Sequence, residues 1–166
     1  TIGLVIDAAK KVADEIIVVD GCSGDETRIV AKSHGAVVLQ DGGKGKGEGI
    51  RIGGQAASNE LVVFLDADGS HNPADVPALI RPIQTGIADL VVGSRGRGGS
   101  DELHGDTEKL LRQVGSDILL IGINWRFNVH LTDSQNGFRA IRRTVFHDLG
   151  LKENITTIEQ EMTMKA

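Results

Sequence analysis

Two uninterrupted apolar runs, Ile16-Ile17-Val18-Val19 and Leu61-Val62-Val63-Phe64-Leu65, each stop abruptly at an aspartate, Asp20 and Asp66. A continuous β-branched run has no polar face, so each is expected as a strand covered on both sides. The stretches around them read as helices. Ile2, Val5, Ile6, Ala9 and Val12 follow helical spacing and predict a helix over 1–13. After the first strand, Gly21 to Gly24 break the chain, and Asp25-Glu26-Thr27 opens a helix running to Ser33. Ala36 to Leu39 predicts a second strand, and a loop over 41–47 leads into a helix reaching about Ser58. Asn72-Pro73 starts a helix to about Thr85, and Asp89 to Val92 is a fourth strand. A Gly-rich loop at 93–99 follows, then a long helix over 106–123, a short strand at 138–141, and helices near 144–149 and 157–166. Apolar strands alternating with helices predict an α/β layer fold with a mainly parallel sheet, in one domain.

Composition narrows the function. With 166 residues and a net charge of −5, the chain is a single-core size and lacks the basic face that a nucleic-acid backbone demands. Its one cysteine, Cys22, excludes an intrachain disulfide and fits a reducing, cytoplasmic setting. The longest apolar run, Ile118 to Ile123, is far short of the ~20 residues a membrane span needs. No secretory leader pattern occurs, and the chain, opening on Thr1, is expected to be part of a longer protein. The His residues show no metal-like pairing, and all five read as surface or turn residues.

Ligands of open α/β sheets collect at the carboxyl ends of strands. Three predicted strands deliver polar groups there: Asp20, the Asp66-Ala67-Asp68 triplet, and Ser94-Arg95. Two carboxylates one residue apart suit a hard cation such as Mg²⁺ or Mn²⁺, shared with substrate phosphates. The competing reading makes Asp68 a turn cap and Asp66 a solvated strand end; placement directly after an apolar strand favours the cation. Asp20 suits a nucleobase edge or, equally, a local turn bond. Lys44-Gly45-Lys46-Gly47-Glu48-Gly49 is not a Walker motif, but its Lys46 and exposed N–H groups at a helix start suit a diphosphate. Arg95 and Arg97 offer two-pronged donation to phosphate. Asp133-Ser134-Gln135-Asn136-Gly137-Phe138-Arg139 reads as a turn before a strand, or as a source of a general base and a further phosphate-binding arginine.

In this order and at these intervals the segments resemble the family 2 glycosyltransferases of the GT-A fold, above all the dolichyl- and polyprenyl-phosphate mannosyl- and glucosyltransferases. The match rests on Glu15 to Thr27, Gly45-Lys46-Gly47, Phe64-Leu65-Asp66-Ala67-Asp68, Gly93-Ser94-Arg95 and Thr132 to Ala140. The resemblance implies a three-layer α/β/α domain and an inverting hexose transfer from a GDP- or UDP-sugar donor to a lipid phosphate, with membrane-surface association. It implies that Asp20 contacts the base and that Asp66 and Asp68 hold the metal and donor. Lys46 would lie along the donor, Arg95 and Arg139 near phosphate groups, and Asp133 beside the acceptor. It departs from the family at Gly21, where a second Asp is usual, and at Ser70, where some relatives place a metal-completing Gln. The family's first strand and Asn-Glu loop would lie ahead of Thr1. A nucleotidyltransferase of the same fold and a non-catalytic nucleotide-sugar binder remain as rival readings.

Overall fold

In the computed structural model of the chain, residues 1–94, Trp125 and residues 136–166 are described. The expected helix over 106–123 lies outside them. The first helix, α1, spans Ile2–Ala9, followed by strand β1 (Ile17–Asp20), helix α2 (Thr27–Ser33), strand β2 (Val37–Gln40), helix α3 (Lys46–Ala56) and strand β3 (Leu61–Phe64). A 3₁₀ turn over Pro73–Asp75 precedes α4 (Val76–Gln84) and β4 (Leu90–Val92). The chain returns as β5 (Arg139–Arg142), α5 (Arg143–Asp148) and α6 (Ile158–Lys165).

The elements lie where the pattern places them, with ends that differ for local reasons. Asp25 accepts a hydrogen bond from the Thr27 N–H, so α2 begins after the acidic pair rather than on it. Asn72 caps the Ala74 N–H, and one 3₁₀ turn carries Pro73 before the α-helix proper starts.

β1 pairs with β2 in parallel, Ile17 opposite Val37. β5 lies between β3 and β4 and runs against both, Val62 opposite Ile141 and Leu90 opposite the same residue. β3 and β4 therefore point the same way with one reversed strand between them. Alternation along β3 splits its side chains between two apolar layers. Val62 joins Ile50, Ile141, Phe146, Ile158 and Met162, while Leu61, Val63 and Leu65 pack with Leu79, Ile83 and Phe138. A third cluster of Ile6, Ala31 and Ala36 seats α1 and α2 on β1 and β2.

Among the described residues β1 pairs only with β2, and β3 only with β5. An apolar cleft of about 820 Å³, lined by Ile6, Ile17, Val19, Ile50, Val62 and Phe64, lies between these two strands. The carboxyl ends of β1 and β3 thus open onto one cleft, whose polar end is lined by Gly21, Asp41, Lys46, Asp66 and Gly137.

Candidate functional site

The loop after β3 is held from below by a relay that the sequence does not announce. The Asp66 N–H donates to His71 Nδ1 at 3.1 Å. That acceptor role puts the ring proton on Nε2, which lies 3.0 Å from Asn136 Oδ1. The same Asn136 oxygen accepts the Phe138 N–H at 3.0 Å, and its Nδ2 donates to the Gly93 carbonyl at 2.9 Å. His71 also stacks on Phe138, with ring centroids 5.2 Å apart. Asn136 is buried at 5% exposure. One side chain thus ties the ends of β3 and β4 to the start of β5. His71, expected as a surface or turn residue, is instead a partly buried link in this relay. Nothing in a lone His and a distant Asn marks them as partners, because the link spans 65 residues.

Asp66 and Asp68 differ in environment. Asp68 is exposed, and its Oδ1 accepts the Ser70 N–H at 2.8 Å, forming a turn that Gly69 permits with φ +88°. Hydrogen bonding from Ser70 holds the Asp68 carboxyl below the usual carboxylate range. It stays anionic, as a cation ligand must. Asp66 is 36% exposed at its side chain and is straddled by Lys46, whose Nζ lies 2.9 Å from Oδ1 and 3.1 Å from Oδ2. Lys46 also sits 2.8 Å from Oε1 of Glu159, a carboxylate with a side-chain exposure of 6%. Burial by itself would pull the Lys46 pKa down, but the Glu159 and Asp66 carboxylates outweigh it and raise it. Gly137 closes over this pair: a Cβ there would lie 2.8 Å from both Asp66 Oδ2 and Lys46 Nζ.

The Gly/Lys loop departs from the phosphate-cradle expectation. The Gly47 and Glu48 N–H groups both donate to the Asn154 carbonyl, at 2.7 and 3.3 Å. Glu48 turns back to accept the Gly42 and Lys44 N–H groups, which holds its carboxyl below the usual range. The Gly47 and Glu48 N–H groups at the start of α3 are therefore satisfied within the chain, and the loop brings the Lys46 side chain to Asp66. Arg51 of α3 donates to the Lys152 and Glu153 carbonyls and to Asn154, fixing the 152–154 segment that precedes α6.

Asp20 is 3% exposed. Its Oδ2 accepts the Ser23 N–H at 3.1 Å and pairs with Arg28 at 3.5 Å, while its Oδ1 has no hydrogen-bond partner among the described residues. A buried carboxylate oxygen without a donor is costly unless a ligand supplies one. Arg28, unremarked in the sequence, is the residue that holds Asp20.

Arg139 is fully buried. Its guanidinium donates to the main-chain oxygens of Asn136 and Glu159 and to Thr163 Oγ1. It connects to Asp66 through Glu159 and Lys46. The structure thus brings Lys46 and Asp66 together, with Asp68 two residues beyond, and places Asp20 on the neighbouring strand end. Arg95, Arg97 and Asp133 lie outside the described residues. Asp66 and Asp68 are oxygen donors suited to Mg²⁺ or Mn²⁺, with donor phosphates and water left to complete the shell. No described helix is long and apolar enough to cross a membrane.

Residues 1–150 match the family described as Glycosyl transferase family 2. The low-salt glycan biosynthesis hexosyltransferase Agl6 of Haloferax volcanii is 27% identical over 152 residues, which are 92% of this chain and 36% of that protein. The undecaprenyl-phosphate mannosyltransferase of Micrococcus luteus is 31% identical over 91% of this chain and 63% of its own length. Among solved structures, glucosyl-3-phosphoglycerate synthase of Mycobacterium tuberculosis in complex with Mn²⁺, UDP and glucosyl-3-phosphoglycerate superposes with a TM-score of 0.69. That structure is 27% identical, covering 100% of this chain and 63% of that one. The chain spans between about one third and two thirds of the length of these proteins. The chain belongs to glycosyl transferase family 2 and has the GT-A fold.

Proposed function

We propose that this family 2 chain carries the donor site of a metal-dependent, inverting hexosyltransferase. It would move a hexose from a GDP- or UDP-sugar to a polyprenyl or dolichyl phosphate. The observation that carries the reading is the pair of carboxylates after β3, one of them already holding a cationic group, at the mouth of a cleft shared with the end of β1. The Mn²⁺ and UDP of the mycobacterial synthase support the donor class, and the undecaprenyl-phosphate specificity in the name of the Micrococcus relative supports the acceptor class.

In this reading the free Oδ1 of Asp20 accepts an N–H from the base. Asp66 and Asp68 would hold the cation, which would supply charge neutralisation for a nucleoside diphosphate leaving group. Arg95 donates to the same diphosphate. Asp133 orients the acceptor, which is already an anion and requires little deprotonation, so its work is positioning. Arg139 supports the site from beneath by holding the Asn136 and Glu159 main chain. A lipid-phosphate acceptor would bring the protein to a membrane surface. We also propose that the cleft between β1 and β3 receives the family's first strand, because among the described residues both strand edges lack partners there and the lining is apolar.

The test is hexose transfer from GDP-mannose and UDP-glucose to dolichyl phosphate by the full-length protein, with and without Mn²⁺. Asp68→Ala is expected to lower the rate roughly 10²–10³-fold. Full activity in that variant, or in the presence of a chelator, would refute the metal role.

A further inference from the structure

Three charged side chains meet where the cation is expected, and one of them, Glu159, has no part in the transfer as read so far. Lys46 Nζ reaches both oxygens of Asp66 and, at 2.8 Å, the buried Oε1 of Glu159. Among the described residues that Glu159 oxygen has no hydrogen bond beyond the ion pair. A buried carboxylate oxygen paired with a lysine is expensive to keep unless the lysine stays with it. Asp66, by contrast, is partly exposed and can be shared. Lys46 is therefore anchored at Glu159 and loosely held at Asp66.

We propose that Lys46 is the built-in counter-ion of the donor site in the absence of metal, and that Glu159 is the positioning residue that lets it change roles. With no divalent cation, the ammonium occupies Asp66 and shields it. When the cation and donor arrive, the cation takes the Asp66 oxygens, and Lys46 leaves them without leaving Glu159. Its charge is then directed at the donor diphosphate instead of at a metal ligand. The geometry favours this exchange. Lys46 is the first residue of α3, set by Gly45 at φ +119°, and Gly137 has no side chain to block the movement. Among these four side chains the carboxylates of Asp66, Asp68 and Glu159 outnumber the Lys46 ammonium, which favours a divalent ion at Asp66 and Asp68. Afterwards the diphosphate brings fresh negative charge, which Lys46 answers.

The inference rests on Asp66 being a cation ligand, and its test separates the two ideas. The full-length protein is titrated with Mn²⁺ alone, reading free ion by electron paramagnetic resonance. Removing a unit charge a few ångströms from the ion, at an effective dielectric of about 20, should exceed the ~1.4 kcal/mol that corresponds to tenfold. Lys46→Met is thus expected to bind Mn²⁺ at least about tenfold tighter than wild type, and Lys46→Arg is not. Lys46→Gln gives the same readout if the Met variant folds poorly. Glu159→Gln leaves Lys46 wholly on Asp66 and should weaken Mn²⁺ binding more in the wild-type background than in Lys46→Met. A merely structural Glu159 would give equal changes in both. Unchanged or weaker Mn²⁺ binding in both Lys46→Met and Lys46→Gln would overturn this inference while leaving Asp66 as a ligand. Absence of Mn²⁺ binding in every form would overturn the ligand assignment and the inference together.

Discussion

Replacing Asn136 with Ala should be among the costlier polar changes near the site. The side chain makes three hydrogen bonds, to the Phe138 N–H, His71 Nε2 and the Gly93 carbonyl, all between 2.9 and 3.0 Å. Each is worth about 1 kcal/mol net, and leaving the buried Phe138 N–H without an acceptor adds roughly 1–3 kcal/mol. The expected total is about 4–6 kcal/mol, a large part of the ~5–15 kcal/mol that holds a typical domain together. Equilibrium urea unfolding reads it directly, with the midpoint falling by roughly 2–3 M. His71→Phe keeps a ring against Phe138 but loses both relay bonds, so it should cost less, about 1–3 kcal/mol. A change under about 1 kcal/mol for Asn136→Ala, or a larger loss for His71→Phe than for Asn136→Ala, would show that the relay does not hold the loop.

Two further outcomes follow from packing and from charge. Gly54 on α3 faces the Phe146 ring so closely that a Cβ would overlap its carbons, so Gly54→Ala should cost about 1–3 kcal/mol in thermal unfolding despite its better helix propensity. Glu48 has its folded pKa depressed by the Lys44 and Gly42 N–H bonds. Its contribution is therefore present above the ordinary value of 4.5 and lost as pH falls through the lower folded value. Amide-exchange protection at Gly42 and Lys44, relative to the intrinsic rate at each pH, should fall in that acidic range in wild type and be low already at neutral pH in Glu48→Ala.

Much of the fold was legible because its signals are local. The β-branched run 16–19 and the apolar run 61–65 can bury themselves only as strands, and the aspartates that end them sit at the strand ends. Asn72-Pro73 marks a helix start through its own cap. The pairing of β5 between β3 and β4 was not legible, because Ile141 meets Val62 and Leu90 only through long-range packing. The same holds for the site. Asp20, Asp66 and Asp68 are visible as strand-end carboxylates, but the partners that control them come from elsewhere: Arg28 for Asp20, Glu159 with Lys46 for Asp66. In the loop at 42–49 a related limit applies: the acceptor of its Gly47 and Glu48 N–H groups is the Asn154 carbonyl, over a hundred residues on.

The central claim is that Asp66 and Asp68 together bind a divalent cation and a nucleotide-diphosphate sugar. Thermal unfolding of the full-length protein against a panel of GDP- and UDP-sugars, with and without Mn²⁺, tests it most directly. At a donor concentration of about 100 Kd the stabilisation is ~2.7 kcal/mol, or roughly 5–10 °C for a domain of this size. The account predicts that shift for one donor, only with Mn²⁺, and its loss in Asp66→Asn and in Asp68→Ala. An equal shift without the metal, or one that survives both substitutions, would contradict it.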